Sequence, residues 1–263
     1  MNYDREGFYA QPQYYDILFG WDRSPEFLFV DAVFQKHGLE VGAQILEVAC
    51  GTGVASLNLQ ALGWSMCGLD ISETMIKAFK HRCRKAGRNI PSLCADMTDF
   101  TVNQPFDGAY CPLGSIGLLP GDEAMLKHLT TMGKNIVPGG LYLIDLGLNL
   151  EETAPCDIMA IDWGREHDGI LVEAVEGRVR VDDSQTDFYG SFEWEDIPLE
   201  YYWPHFESLV ERSKLFEIEA FYPEAGTSDE GISLFELETE GYNGTCDRAM
   251  VLLRRFNPDS NLN

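Results

Sequence analysis

The run Gln44-Ile45-Leu46-Glu47-Val48-Ala49-Cys50-Gly51-Thr52-Gly53 constrains this chain more than any other stretch. Residues 44–49 read as a short buried strand. Gly51 and Gly53 let the backbone turn tightly and let a ligand approach it closely. Residues to about 62 then read as helix. A strand that passes through a glycine turn into a helix begins a β-α-β unit, and such units build parallel sheets with right-handed crossovers.

The alternation continues through the first 150 residues. Ser24, Pro25 and Glu26 open an earlier helix as N-cap, first-turn proline and first-turn acid, and Gly38 closes it. Residues 66–70 read as a second strand, and Ser72 caps a helix running to about 86. Residues 92–95, 106–111 and 140–145 read as strands three to five, with a helix over 121–135 before the fifth. The pattern then changes. Residues 157–166, 170–181 and 186–195 are rich in β-branched and aromatic side chains. His167-Asp168-Gly169 and Asp182-Asp183-Ser184 suit the turns between them. A helix over 202–213 and closing strands over 216–222 and 248–253 follow, and residues 232–237 form a further candidate strand. The expectation is one α/β domain over 1–263, with helices on both faces of its sheet. A small antiparallel insertion over 151–202 follows strand five and caps the substrate.

Composition excludes several partners. The net charge is −24: residues 1–149 hold 16 acids and 11 bases, residues 150–263 hold 27 acids and 8 bases. Such a surface repels a polyanion, so no nucleic-acid partner is expected. The acidic half reads either as a solvated face or as a field favouring a cationic substrate. No apolar run is long enough to span a bilayer, and residues 1–10 lack the pattern of a secretory signal, which predicts a cytoplasmic protein. Seven cysteines without CxxC spacing fit that compartment. Cys50, Cys67, Cys94 and Cys111 read as small buried hydrophobes. His81 and Cys83 form a lone pair, so no metal site is expected.

The chemistry rests on three details of the glycine turn. Ser56 stands where a dinucleotide fingerprint has its third glycine. Glu47, at the strand end, repels a pyrophosphate but attracts an ammonium such as that of the methionine part of S-adenosylmethionine (SAM). Asp70 ends the next strand, where a carboxylate accepts hydrogen bonds from ribose hydroxyls of either NAD or SAM. The first two details favour SAM. Asp96, after strand three, is placed for an adenine amino group with Met97 beside the ring.

These residues resemble the class I SAM-dependent methyltransferases, whose sheet is Rossmann-like. The resemblance covers residues 14–146 and the closing helix and strands. It is carried by Glu47 to Gly53, by Asp70-Ile71-Ser72-Glu73-Thr74-Met75-Ile76, by Ala95-Asp96-Met97 and by Val137-Pro138-Gly139-Gly140. Tyr14-Tyr15-Asp16-Ile17 and Leu113-Gly114-Ser115-Ile116-Gly117 are similar to segments of glycine N-methyltransferase-like and amino-sugar N-methyltransferase-like enzymes. In the amino-sugar group the antiparallel strands enclose the acceptor and form dimers. Two departures stand out. Ser115-Ile116-Gly117-Leu118-Leu119 lacks the histidine common in amino-sugar enzymes, and Arg23 alone is available where glycine enzymes carry several arginines.

The resemblance implies SAM as cofactor, held by Glu47, Ala49, Gly51, Gly53, Asp70, Ile71, Asp96, Met97 and the backbone of Cys111, with Met75 read either as a further cofactor contact or as a core residue. Tyr15 and Trp21 read as groups that contact cofactor or acceptor, or as aromatic plugs over the cofactor. His205 reads as a base or as a structural histidine, and Trp163, Trp194 and Tyr202 as a cation-binding wall or as core. The expected reaction is in-line methyl transfer to a small molecule, most simply at an amine nitrogen. O-methylation, a non-catalytic SAM-binding role and an NAD-dependent oxidoreductase remain as alternatives.

Overall fold

Leu46 and Val48 face one side of strand β1 (Gln44–Val48), Ile45 faces the other, and the two sides bury into separate cores. This period-2 alternation with both faces buried places β1 in the middle of a sheet covered by helices. The computed structural model describes residues 7–149, 163–175, 178–193, 201–222 and 248–257. Its helices are α1 (Pro12–Leu18), α2 (Ser24–Lys36), α3 (Val54–Ala61), α4 (Glu73–Lys85), α5 (Asp122–Asn135) and α6 (Trp203–Ser213). The remaining strands are β2 (Ser65–Asp70), β3 (Ser92–Cys94), β4 (Phe106–Cys111), β5 (Ile136–Asn149), β6 (Trp163–His167), β7 (Ile170–Val175), β8 (Arg178–Asp183), β9 (Phe188–Glu193), β10 (Tyr201–Tyr202), β11 (Phe216–Tyr222) and β12 (Arg248–Arg255).

The main sheet runs β3-β2-β1-β4-β5-β12-β11, with β10 beside the end of β5. Strands β1 to β5 are parallel to their neighbours among themselves, and β12 is antiparallel to both β5 and β11. Residues of α2, α3 and α4 pack on one face, and residues of α5 and α6 on the other. The strand order reverses between β1 and β4, and in such sheets the ligand crevice opens at the carboxyl ends of the strands there. Glu47, Asp70 and Cys111 all lie at those ends.

Strands β6 to β9 form a separate antiparallel sheet in sequential order. Asp168 and Gly169 both have positive φ (50° and 79°), the requirement for a tight two-residue hairpin that carries the twist of its strands. One face of this sheet, with Val172, Ala174, Val179 and Val181, packs on Phe8, Tyr14 and Leu18. The N-terminal helix and the inserted sheet therefore share one core.

Several expectations shift. The single strand over 170–181 is two strands, β7 and β8, paired from Ile170↔Asp183 to Val175↔Arg178. Glu176-Gly177 in the sequence breaks the run, though these two positions lie outside the described residues. The turn after β8 falls at residues 184–187; of the Asp182-Asp183-Ser184 expected for it, Ser184 lies in the turn and the two aspartates end β8. Strand five starts earlier and ends later than 140–145: it pairs with β4 from Ile136 across a register shift that contains Gly139 (φ 80°), and its far end pairs with β12 and β10. Ser24 is the first residue of α2, not its cap, and Asp22 Oδ1 accepts from the Ser24 amide at 2.9 Å. Cys94 is exposed, since β3 is an edge strand, while Cys50, Cys67, Cys83 and Cys111 are buried. The candidate strand over 232–237, residues 157–162 and Trp194 lie outside the described residues. Among the described residues no helix is long and apolar enough to cross a membrane. No three His, Cys, Asp or Glu side chains among them gather as a metal set.

Candidate cofactor and active site

The turn between β1 and α3 is built from left-handed backbone. Ala49, Gly51 and Gly53 have φ of 54°, 49° and 84°. Glycine adopts this region freely, whereas alanine pays about 1–2 kcal/mol. Ala49→Gly is therefore expected to raise the unfolding free energy by up to about 1 kcal/mol, after the entropy of glycine is subtracted. A urea titration reads this directly, and lower stability would contradict the strain at Ala49.

Two carboxylates hold the turn. Glu47 is buried, and its Oε2 accepts from the Ser56 amide at 2.7 Å and from the Ser56 hydroxyl. It thus caps the first turn of α3, where a free helix N-terminus would draw an anion. Asp70 Oδ2 accepts from the Gly51 amide and Oδ1 from the Ser72 amide, each at 2.8 Å. Ser72 Oγ in turn accepts from the Met75 amide at 3.2 Å and caps α4 as expected. Met75 itself is buried, whereas Ile71 beside Asp70 stands 45% exposed, an apolar platform at the rim of the crevice.

This geometry discriminates between cofactors. A dinucleotide needs the glycine-turn amides and the helix N-terminus for its pyrophosphate. Here the Gly51 and Ser56 amides already donate to Asp70 and Glu47, so a phosphate would find both donors occupied. SAM carries no phosphate, and its ribose hydroxyls and ammonium are donors suited to those carboxylates. The donor set fits SAM.

Burial raises the Glu47 carboxyl from its ordinary 4.5 to about 7, although the Ser56 bonds and the nearby Arg23 pull it down. Below pH 4.5 both folded and unfolded chains hold this proton. Between 4.5 and 7 only the folded chain does, and above 7 neither does. The ligand-free fold thus loses stability as pH rises through this window, by about 3 kcal/mol for a shift of that size. Glutamine keeps an acceptor for Ser56, so Glu47→Gln is expected to remove this slope in thermal melts between pH 4.5 and 8. A mutant with the parental slope would contradict it.

The first helix closes over the turn. The Tyr15 ring packs where a Gly51 Cβ would stand, 3.5 Å from Cε1 and Oη. Asp16 accepts from Thr52 Oγ1 at 2.6 Å and from Arg82, whose Nε donates to the Thr52 carbonyl at 2.9 Å. On its other side α1 is tied to the inserted sheet by Tyr14 Oη, which donates to Asp183 Oδ2 at 3.1 Å. Tyr15, Phe19, Trp21 and Trp163 form a chain of ring contacts with centroids 4.6–5.7 Å apart. Trp163 is partly buried and packs against the core that α1 shares with the sheet. Burial lifts the Tyr15 phenol well above its usual range, so it stays protonated at neutral pH.

Arg23 is buried, bonds Glu26 through Nε at 2.9 Å and through Nη2, and stacks on Phe27 with 5.3 Å to the ring centroid. Glu26 also accepts from Tyr110 Oη. Burial works against the guanidinium charge, and Glu26 more than restores it. Asp16, Thr52 and Arg82 were not singled out as site residues from the sequence, and Arg23 was noted there only as the one arginine available by likeness to the glycine enzymes. For Arg23 the spacing of three to Glu26, from the residue just before α2 into its first turn, was the available signal.

Asp96 turns back to accept from the Thr98 amide at 2.7 Å, and the Met97 carbonyl is held by His128 at 2.9 Å. Cys111 is fully buried and its thiol is pushed up to about 12 by desolvation, which leaves it inert as a nucleophile. The structure thus brings Tyr15, Glu47, Ala49, Gly51, Gly53, Asp70 and Ile71 together, with Trp21 linked to Tyr15 through the Phe19 ring. It does not bring His205 to them. His205 sits half-exposed on α6, its Nε2 2.7 Å from Asp122 Oδ1, with Arg212 on the other oxygen of that carboxylate.

A glycine turn with its anion sites filled by carboxyl groups, at the switch point of this sheet, is an arrangement suited to SAM rather than to a dinucleotide. Residues 45–140 match the family described as Methyltransferase domain. A SAM-dependent methyltransferase from Clostridium acetobutylicum has the same fold, with a TM-score of 0.68 over 92% of this chain and 96% of that one at 18% identity. The dTDP-3-amino-3,6-dideoxy-alpha-D-glucopyranose N,N-dimethyltransferase from Streptomyces fradiae is 27% identical over 134 residues, 50% of this chain and 51% of its own. Glycine N-methyltransferase from Mus musculus is 33% identical over 132 residues, 43% of this chain and 42% of its own. The chain spans about half the length of the curated relatives it matches, or somewhat less.

Proposed function

We propose that this chain transfers the methyl group of SAM to an amine nitrogen of a small molecule. The observation that carries the reading is the pair of carboxylates, Glu47 and Asp70, seated on the amides that a phosphate would need. Both curated relatives named above are N-methyltransferases, which supports nitrogen as the acceptor.

In this reading Asp70 accepts from the ribose hydroxyls, Asp96 from the adenine amino group, and Ile71 and Met97 flank the base. Glu47 faces the ammonium of the methionine part, and Arg23, the buried cation of the crevice, takes its carboxylate. When bound, SAM supplies a methyl on a cationic sulfur whose departing form is neutral, so the protein's task is alignment. Alignment supplies on the order of 7–11 kcal/mol in favourable cases. Tyr15, held neutral, cannot remove a proton. It orients the acceptor through its hydroxyl and keeps water off the turn. His205, engaged by Asp122, is assigned no step.

The acceptor is enclosed between α1 and the segment 151–202, whose described strands share a core with α1. The same segment is the surface for a homodimer. Incubation with methyl-labelled SAM and a panel of amino sugars, amino acids, phenols and carboxylic acids tests the reading. Label on nitrogen, with one S-adenosylhomocysteine released per methyl, is expected. Label on oxygen alone would move the assignment to O-methylation, and absence of transfer with intact binding would favour the non-catalytic alternative.

A further inference from the structure

Helix α5 buries three polar side chains, His128, Thr131 and Asn135, at a spacing that places them on one face. All three bond the backbone of the loop that follows β3. His128 Nδ1 meets the Met97 carbonyl at 2.9 Å, and Thr131 Oγ1 donates to the Thr98 carbonyl at 2.8 Å. Asn135 Nδ2 donates to the Phe100 carbonyl at 3.1 Å while its Oδ1 accepts from the Val102 amide at 3.0 Å. An irregular loop packed against a core needs such partners for its backbone. Met97 is the residue next to Asp96, so His128 holds the point of this loop nearest the proposed adenine acceptor.

His128 also reaches the sheet. Its Nε2 lies 2.9 Å from Tyr142 Oη on β5, and the Cys111 thiol lies beside that hydroxyl. A carbonyl can only accept, so Nδ1 carries the proton and Nε2 accepts from Tyr142. Desolvation lowers the imidazole to about 4, which keeps this single arrangement at neutral pH. The backbone at Met97 is thereby registered against β4 and β5.

We propose that His128 is a positioning residue for the nucleobase: by fixing the Met97 carbonyl against Tyr142, it sets the Asp96 carboxylate where the adenine amino group is recognised. This rests on the reading of Asp96 given above. Thr131 and Asn135 hold more distant parts of the loop and serve its folding.

The test compares S-adenosylhomocysteine with S-inosylhomocysteine, in which a carbonyl replaces the adenine amino group, by calorimetry on the full chain. The parent is expected to prefer the amino form at least tenfold. His128→Phe is expected to lose most of that preference, chiefly through weaker binding of the amino form, whereas Thr131→Val keeps it even if its melting temperature falls. His128→Gln, which retains a donor and an acceptor, is expected to restore part of it. If the parent shows no preference, the Asp96 reading falls and this proposal with it. If the parent discriminates and folded His128→Phe discriminates equally, the positioning role alone is overturned. Should His128→Phe not fold, Tyr142→Phe takes its place: a reduced ratio supports the role, and an unchanged ratio overturns it.

Discussion

Asp70→Ala is expected to weaken S-adenosylhomocysteine roughly ten- to hundredfold, the effect of losing charge-assisted hydrogen bonds worth about 1.5–3 kcal/mol. The carboxylate accepts from the amides of Gly51 and Ser72, and its two oxygens keep lone pairs for the ribose. Desolvation raises its pKa while those amide bonds oppose the rise, so a ligand that donates to it relieves a buried charge. The substitution also cuts the tie between the glycine turn and the start of α4, so the ligand-free melting temperature should fall as well. Asp70→Asn separates the two effects, because one backbone N–H would then face an amide NH₂. Folded Asp70→Ala with parental affinity in calorimetry would remove Asp70 from the site.

Gly53→Ala should be the most damaging substitution in the turn. A Cβ at Gly53 would clash with Phe79 Cδ2 and Cε2, inside the core between α4 and the sheet, and at a φ of 84°. Overpacking costs typically 1–3 kcal/mol and the left-handed backbone about 1–2 more. For a chain of this size the melting temperature is expected to fall by roughly 5–15 °C. Phe79→Leu should recover part of the loss, because it removes ring atoms from the contact. Gly53→Ala at parental stability would show that Phe79 moves aside at little cost.

The frame was legible because its signals are local. The glycine turn, the capping Ser72 and the apolar runs of β1, β2 and β4 each announce themselves within ten residues. The Asp168-Gly169 hairpin did so too, whereas Glu176-Gly177 passed unread inside an apolar run. Long-range contacts were not legible. Asp16 meets Arg82 66 positions away, and Tyr14 meets Asp183 169 positions away. Nothing in either neighbourhood marks its partner, so the latch of α1 onto the cofactor turn and the inserted sheet emerged only in three dimensions. The same limit applies to Glu47. Its place at the strand end was readable, but its grip on Ser56 depends on how the turn folds back.

Calorimetric titration of the purified chain with S-adenosylhomocysteine and, separately, with NAD tests the central claim most directly. The capped amides of Gly51 and Ser56 predict that S-adenosylhomocysteine binds at one site per chain and that NAD gives no heat beyond dilution. Binding of NAD without binding of S-adenosylhomocysteine would contradict the account.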